Sequence, residues 1–481
     1  MKSVRSSFIR LSPRLAVISV MHPFAAPRTR ILTSLLLAVL TTIAANATAL
    51  AQQGRVPVVR DAEIEALVRD YARPIFKAAG LSRSGIDIIL VNDPRFNAFV
   101  AGRRMFINTG SLLAAETPNE IIGVIAHEAG HIAGGHQERL RQQLARAQTM
   151  AIIGTVLGMG AAAAGAATDN SGLGKAGAGI AAGTSEFARR GLLDYQRSEE
   201  ATADRSAVTY LEATGQSAKG MLKTFQRFQS ALSLAGTRVD PYQLSHPMPR
   251  DRIANLEALA RKSVNFDRAD PENLQMRHDL MRAKIAVYTQ GQAAASRLFR
   301  TEQPGLAGRY GDAQATFLYG NPASALKKAD ALLKAQPKNP YFHELRGDIL
   351  LRANRPAQAA EAYARAVALD PAKSGILQVS YGQALIATGK PEALKKAVSA
   401  IGRGLERDKE YVNGYTYLAQ AYGQLGDVAQ AELATAEGHF HSGDHRQAKI
   451  FAARAQTKFR RGDPGWVRAQ DIISYNVRKK K

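Results

Sequence analysis

Four turn-like segments recur through the second half of this chain. They are Gly320-Asn321-Pro322, Asn354-Arg355-Pro356, Gly389-Lys390-Pro391 and Gly426-Asp427-Val428, and aligned on Asn321, Arg355, Lys390 and Asp427 they step by 34, 35 and 37 residues. Helical periodicity fills the intervals. A unit of this length holds one helical hairpin, which cannot bury its apolar face alone. Neighbouring hairpins must therefore stack into a shared core and form a concave surface. Pro337 and Pro371 keep the same 34-residue step. Gly443-Asp444 and Gly462-Asp463-Pro464 break the period and predict a cap on the array.

Thirty-four residues is the tetratricopeptide period, and Tyr363, Ala366 and Leu369-Asp370-Pro371 sit where such a repeat places its packing residues and terminal proline. A plain helical bundle is the competing reading. Tetratricopeptide arrays bind proteins or peptides and carry no catalysis of their own, so chemistry must lie upstream. It begins at His127-Glu128-Ala129-Gly130-His131. Two histidines four residues apart on a helix lie one turn above the other, so both reach one zinc ion. Glu128 beside them is placed to take a proton from water. Thr117-Pro118-Asn119-Glu120 predicts the helix start, with Thr117 as cap, Pro118 in the first helical position and Glu120 closing a capping box. The apolar run from Ile121 to Ile125 predicts that the helix is buried, which argues against two surface histidines brought together by chance.

Two histidines need a third protein ligand to leave one position open. The pattern H-E-x-x-H-x-x-G-x-x-H would put a histidine at residue 137, but residue 137 is Gln and the histidine is His136. His136 is turned about 140° from His131 around the helix and is read as solvated or structural. The alternative is a carboxylate from Arg197-Ser198-Glu199-Glu200-Ala201-Thr202-Ala203-Asp204. Glu200 and Asp204 share a helical face, so Glu200 is expected to ligate the metal while Asp204 orients a ligating histidine. Glu199 lacks such a partner. Downstream, Ser245-His246-Pro247-Met248-Pro249 precedes a helix beginning near Asp251. His246 and Arg252 are expected to face the site, where either would stabilise a developing oxyanion. Taken alone, that segment reads as a proline-rich turn with a surface histidine.

Together these residues resemble the HtpX/CAAX-protease family of zinc metallopeptidases across roughly residues 60–260. The matching parts are the H-E-x-x-H, Glu200 with Ala203-Asp204, and Ser245-His246-Pro247 with Arg252-Ile253. The resemblance implies a gluzincin holding one Zn2+ per chain on His127, His131 and Glu200, with Glu128 as general base. In periplasmic members the histidine of the Ser-His-Pro turn approaches the metal and restrains activity, which would make His246 regulatory. Upstream, Ile86–Val91 reads as a strand, and Asn97–Val100 and Met105–Asn108 flank Gly102-Arg103-Arg104 as a hairpin. Met105, Phe106, Ile107 and Asn108 are assigned the role of substrate strand, by strand addition; an ordinary hairpin beneath the helix is the other reading.

Arg28 and Arg30 precede an apolar stretch from Ile31 to Ile43, and Ala49-Leu50-Ala51 offers a small-x-small cleavage site. This predicts a cleaved signal peptide over 1–51, with Met21 an alternative start and an uncleaved anchor the alternative outcome. There is no cysteine, which excludes a lipid-anchored cysteine and any disulfide framework. Net charge is +23, of which six basic side chains lie in residues 1–51. The remaining basic surface suits an anionic membrane surface or acidic proteins, and no nucleic-acid fold signature accompanies it. Residues 150–167 carry no charge and Gly/Ala richness continues to Gly183. That segment is read as a buried helical pair, a lid or a membrane-contacting insert.

The expected chain is mainly α. It has a signal peptide over 1–51, then a zinc metallopeptidase domain over 52–265 with a small β-sheet or hairpin and the insert at 150–183. A helical linker over 266–310, an α-solenoid of repeats over 311–470 and a basic tail over 471–481 follow. The whole-chain layout resembles periplasmic proteases that carry C-terminal repeats, and that resemblance implies quality control of outer-membrane proteins, with protein substrates and the outer-membrane assembly machinery docking on the repeats. The alternative is a chaperone or assembly factor whose repeats do the main work beside a largely latent zinc site.

Overall fold

The structure is a computed structural model describing residues 57–168, 171–234, 246, 250–299 and 305–476. The expected signal segment, the residues flanking His246 and the last residues of the basic tail lie outside these. The described chain is mainly helical, with one small mixed sheet near its start. Strand β1 (Val58–Val59) leads into helix α1 (Ala62–Ala78), and β2 (Asp87–Val91), β3 (Ala98–Ala101) and β4 (Arg104–Asn108) follow. The sheet order is β1-β2-β4-β3, with β2 parallel to β4 and the other pairs antiparallel.

This order corrects the substrate-strand assignment. Met105, Phe106, Ile107 and Asn108 belong to β4, which is paired on both sides: Met105 opposes Ile88 on β2 and Val100 on β3. Strand addition needs an open edge, and the edge on this side is β3. The alternation of β4 looks the same at an edge as in the middle, because period-two patterning reports faces rather than neighbours.

Helix α2 (Thr109–Ala114) turns the chain into α3 (Pro118–Gly134), which carries the H-E-x-x-H. Thr117 occupies the N-cap position but makes no side-chain cap bond. Glu120 accepts from the Glu116 amide at 3.2 Å instead, so the expected capping box forms only a related local bond. Ile121, Ile122, Val124 and Ile125 are buried against α1, the sheet and α6 (Lys219–Leu234) in one core that includes Leu67, Tyr71, Met105 and Phe225. Gly135 ends the helix at φ +64, a left-handed conformation that glycine adopts without strain. Two long helices then form a hairpin, α4 (His136–Ala167) and α5 (Ser171–Ala213), and α7 (Arg250–Ala260) completes the region.

The expected linker is a structural helix with two faces. In α8 (Glu272–Gln290), Met281 and Ile285 pack into the core beneath α3, while Leu280, Ala283 and Val287 pack into the first repeat core. After α9 (Ala294–Leu298) come five helical hairpins, α10/α11 (Leu306–Tyr319, Pro322–Ala335), α12/α13 (Pro340–Arg352, Pro356–Leu369), α14/α15 (Gly375–Ala387, Pro391–Arg407), α16/α17 (Val412–Gln424, Val428–His441) and α18/α19 (His445–Gln456, Pro464–Ser474). Asn321, Arg355, Lys390 and Asp427, the residues that set the period, are the N-caps of the second helix in four successive hairpins.

The start of α1 lies against this array. Ala62 and Ala66 pack with Tyr341, Ala366, Ile376 and Leu377. Arg60 pairs with Asp408 and stands 5.3 Å over the Tyr411 ring, and Arg104 Nη2 donates to Glu410 at 2.8 Å. Lys284, only 7% exposed, lies 2.7 Å from Asp61 and 3.3 Å from Glu63, and Tyr310 donates to Glu63 at 2.7 Å. Burial raises the Glu63 carboxyl pKa and Lys284 opposes that shift. Removing one partner of a buried pair strands the other charge, a loss of about 3–5 kcal/mol. Lys284→Ala is therefore expected to lower unfolding free energy by that order in a urea titration. A change near zero would mean these carboxylates do not rely on Lys284.

Candidate metal centre

Helix α3 presents His127 and His131 one turn apart, and α5 crosses behind them. The crossing is close because residue 130 is glycine: a methyl group there would stand 3.0 Å from the Ala203 carbonyl oxygen. That approach brings Glu200 to the histidines. His127 Nε2 lies 3.0 Å from His131 Nε2 and 3.3 Å from Glu200 Oε2, and His131 Nε2 lies 3.4 Å from Glu200 Oε1. His246 adds a fourth donor, its Nδ1 at 3.3 Å from His127 Nε2 and 3.0 Å from Glu200 Oε1. Ligands held at about 2.0–2.1 Å in a tetrahedron are separated by about 3.4 Å. Three imidazole nitrogens and the Glu200 carboxylate, with one ligand atom from each residue within 4.8 Å of the others, thus have the chemistry of a four-coordinate site for a small divalent ion.

The two α3 histidines are held from behind. His127 Nδ1 faces Asp204 Oδ1 at 2.9 Å, which fixes the tautomer that leaves Nε2 as the electron-pair donor. His131 Nδ1 faces His136 Nδ1 at 2.8 Å, and His136 Nε2 faces Glu199 Oε2 at 2.8 Å. A proton on His131 Nδ1 and another on His136 Nε2 satisfy this chain and leave His131 Nε2 free to ligate. His136 is thus buried and structural, and Glu199 has a purpose that the sequence reading did not find. Its signal is spatial: His136 opens the next helix after the Gly135 turn, so the 140° of a continuous helix does not apply.

Arg252 donates through Nη1 to Glu200 at 2.8 Å and through Nε and Nη2 to Asp204 at 2.6 and 2.8 Å. Its guanidinium stands 5.2 Å over the Phe225 ring, which also meets His127 edge-on at 5.7 Å. These contacts hold Arg252 against the two carboxylates, where it orients Glu200 and Asp204. Phe225 went unnoticed in the sequence because a core aromatic and a ligand-backing one share the same pattern.

Glu128 is buried, and both its carboxylate oxygens lack a hydrogen-bond partner among the described residues. His246 Nε2 stands 3.5 Å from its Oε1. Leaving a carboxylate so costs free energy that a folded chain ordinarily avoids, so this one is fitted to a group that arrives with the reaction. Burial pushes its pKa above the ordinary carboxylate value, the direction that strengthens a general base. On the β3 edge, Gln137 donates to the Val100 carbonyl and accepts from the Gly102 amide at 2.9 Å. A side-chain amide therefore already occupies one end of the open strand.

Residues 58–260 match Peptidase family M48, and residues 319–374 match the tetratricopeptide repeat. The chain carries an M48 metallopeptidase domain followed by tetratricopeptide repeats. It is also similar to the beta-barrel assembly-enhancing protease of Escherichia coli K12, 24% identical over 85% of this chain and 82% of that one. The protein of the same name from Yersinia pestis is 24% identical over 84% and 82%.

In the metal-free M48 site, burial works against charge on His127, but the Asp204 and Glu200 carboxylates outweigh it and raise its pKa to about 9. Burial and the neighbouring His127 hold His131 down to about 2. His127 therefore carries a proton at pH 7 that a metal must displace. Its raised pKa stabilises the metal-free fold fully below pH 6.5, and this contribution is lost as pH rises through about 9. Metal affinity should change in the opposite sense, rising about tenfold per pH unit until about pH 9. Calorimetric metal titrations at pH 7, in buffers of different ionisation enthalpy, should report release of about one proton. Release of none would contradict the assignment of His127.

Proposed function

We propose that this protein is a periplasmic zinc endopeptidase that degrades or assists misassembled outer-membrane proteins, with its repeats docking the substrate or the assembly machinery. The observation that carries this reading is the similarity to the beta-barrel assembly-enhancing proteases along both the peptidase and repeat halves. The apolar stretch before Ala49-Leu50-Ala51 supports export through a cleaved signal peptide. His127, His131 and Glu200 would hold the zinc, which supplies a Lewis acid that acidifies water and polarises the scissile carbonyl. Glu128 takes the proton from the attacking water and hands it to the leaving amine. Asp204 and Arg252 keep His127 and Glu200 in place while this happens.

His246 decides when the site works. Its Nδ1 stands where a fourth donor belongs, 3.0 Å from Glu200 and 3.3 Å from His127. Water must reach that position for hydrolysis, so the geometry favours a latent form in which His246 restrains the enzyme. This also supports the second reading, an assembly factor whose zinc site is mostly closed. If nine-tenths of the molecules are closed, removing the restraint raises turnover about tenfold. His246→Ala is expected to do so in a casein assay at unchanged zinc content. A fall in turnover would return His246 to oxyanion stabilisation.

The substrate class is tested in a strain lacking this gene that accumulates misassembled outer-membrane protein. Wild type should clear it and Glu128→Gln should not. Full rescue by Glu128→Gln would select the chaperone reading, and no effect from either protein would remove outer-membrane proteins as the substrate.

A further inference from the structure

The hairpin of α4 and α5 is built the reverse of a soluble one. Ile152, Val156, Leu157 and Met159 are 57–63% exposed, and Ile180 and Phe187 also face outward. Small residues fill the seam between the helices. A methyl group at Gly158 would stand 2.5 Å from the Gly177 carbonyl oxygen, and one at Gly154 would stand 2.4 Å from Thr184 Cβ. In water, large apolar groups belong in the seam and an outward patch of this kind marks an interaction site. In lipid, tails solvate the large groups, and small residues let the backbones approach.

We infer that this hairpin inserts into an anionic lipid bilayer. Among the described residues, His136–Gly165 is the one helix long and apolar enough to cross a membrane. Residues 147–168 carry no charge, which at 1.5 Å per residue is about 33 Å, close to the thickness of a hydrocarbon core. The antiparallel contacts of Gly154 with Thr184 and Gly158 with Gly177 place Arg189 and Arg190 near the level of residues 147–149, about one turn from Arg146. These three exposed arginines form a collar where the apolar surface begins. Arg189 and Arg190 share a single partner, Glu186, so the collar keeps net positive charge for anionic headgroups. At the far end, Lys175 has a stem long enough to carry its charge towards an interface.

The base of the hairpin carries His136, Glu199 and Glu200, so insertion would hold the peptidase site about 15 Å above the collar, ten residues of helix away. The inference stands whether or not outer-membrane proteins are the substrate, because it rests on the hairpin alone. The partner is lipid rather than a second copy because the collar and the uncharged length match a bilayer.

The native chain has no cysteine, so one can be introduced as a unique label site. The zinc-loaded mature chain carrying Val156→Cys, labelled with an environment-sensitive dye, is mixed with vesicles of phosphatidylethanolamine containing a quarter phosphatidylglycerol. Residue 156 lies about 12 Å beyond the collar. A blue shift with a severalfold rise in emission is expected, retained in high salt and quenched by nitroxides in the acyl chains. The same dye at Val428→Cys, on an exposed repeat position, should not respond. Ile153→Asp with Leu157→Asp should abolish vesicle flotation while leaving casein cleavage in solution intact. No response at residue 156 with vesicles would overturn insertion. So would a response lost in high salt, which marks surface attraction only, or a concentration-dependent response without vesicles, which marks a second copy on this face.

Discussion

Glu200→Ala is expected to leave the protein folded and without its metal. The carboxylate is the one anionic donor of the set, 3.3 and 3.4 Å from the two α3 histidines, and it also receives Arg252 Nη1 at 2.8 Å. Losing a residue that only supports a ligand lowers metal affinity about 10–100-fold, and losing the ligand itself should exceed that range. His136→Ala provides the comparison, because His136 meets the ligand set through the back of His131 and otherwise pairs with Glu199. Its affinity loss should stay within the 10–100-fold range. Metal content after dialysis, read beside a circular dichroism spectrum, separates loss of the site from loss of the fold. Full metal retention in Glu200→Ala would remove Glu200 from the ligand set.

Glu128→Gln is expected to retain the metal and lose about 10²–10⁴-fold in peptide hydrolysis, the usual contribution of a positioned general base. The substitution preserves volume in a site where Glu128 is 1% exposed, so packing is undisturbed. It removes the ability to accept a proton, and burial had raised that affinity above the ordinary carboxylate value. Neither Arg252 nor Asp204 can take over, because they are held against each other and against the ligands. A Glu128→Gln protein with a wild-type rate would mean that another base serves the reaction.

Motifs whose geometry is local were readable in the sequence. His127 and His131 needed only the helical repeat, and Asn321, Arg355, Lys390 and Asp427 needed only a fixed period. Glu200 with Asp204 was legible because both lie on one face of a helix and suit complementary tasks around His127. Features that depend on chain paths meeting in space were not legible. The β4 strand looked like an edge until β2 was seen to pair beside it. The left-handed Gly135 turns His136 back towards His131, and Arg252 meets Glu200 and Asp204 only once α5 and α7 are packed together. The hairpin of α4 and α5 is an intermediate case: its composition was plain, but that the large residues face outward and the glycines inward required the helices to be paired.

The central claim is that these residues form a metal-dependent peptide-hydrolysing site with Glu128 as its base. It is tested most directly by measuring zinc content and casein turnover in wild type and Glu128→Gln, both in a His246→Ala background so that the restraint is absent. One zinc per chain is expected in each, and casein cleavage in the Glu128 form alone. Equal cleavage by the two proteins, or cleavage that persists after the zinc is chelated, would contradict it.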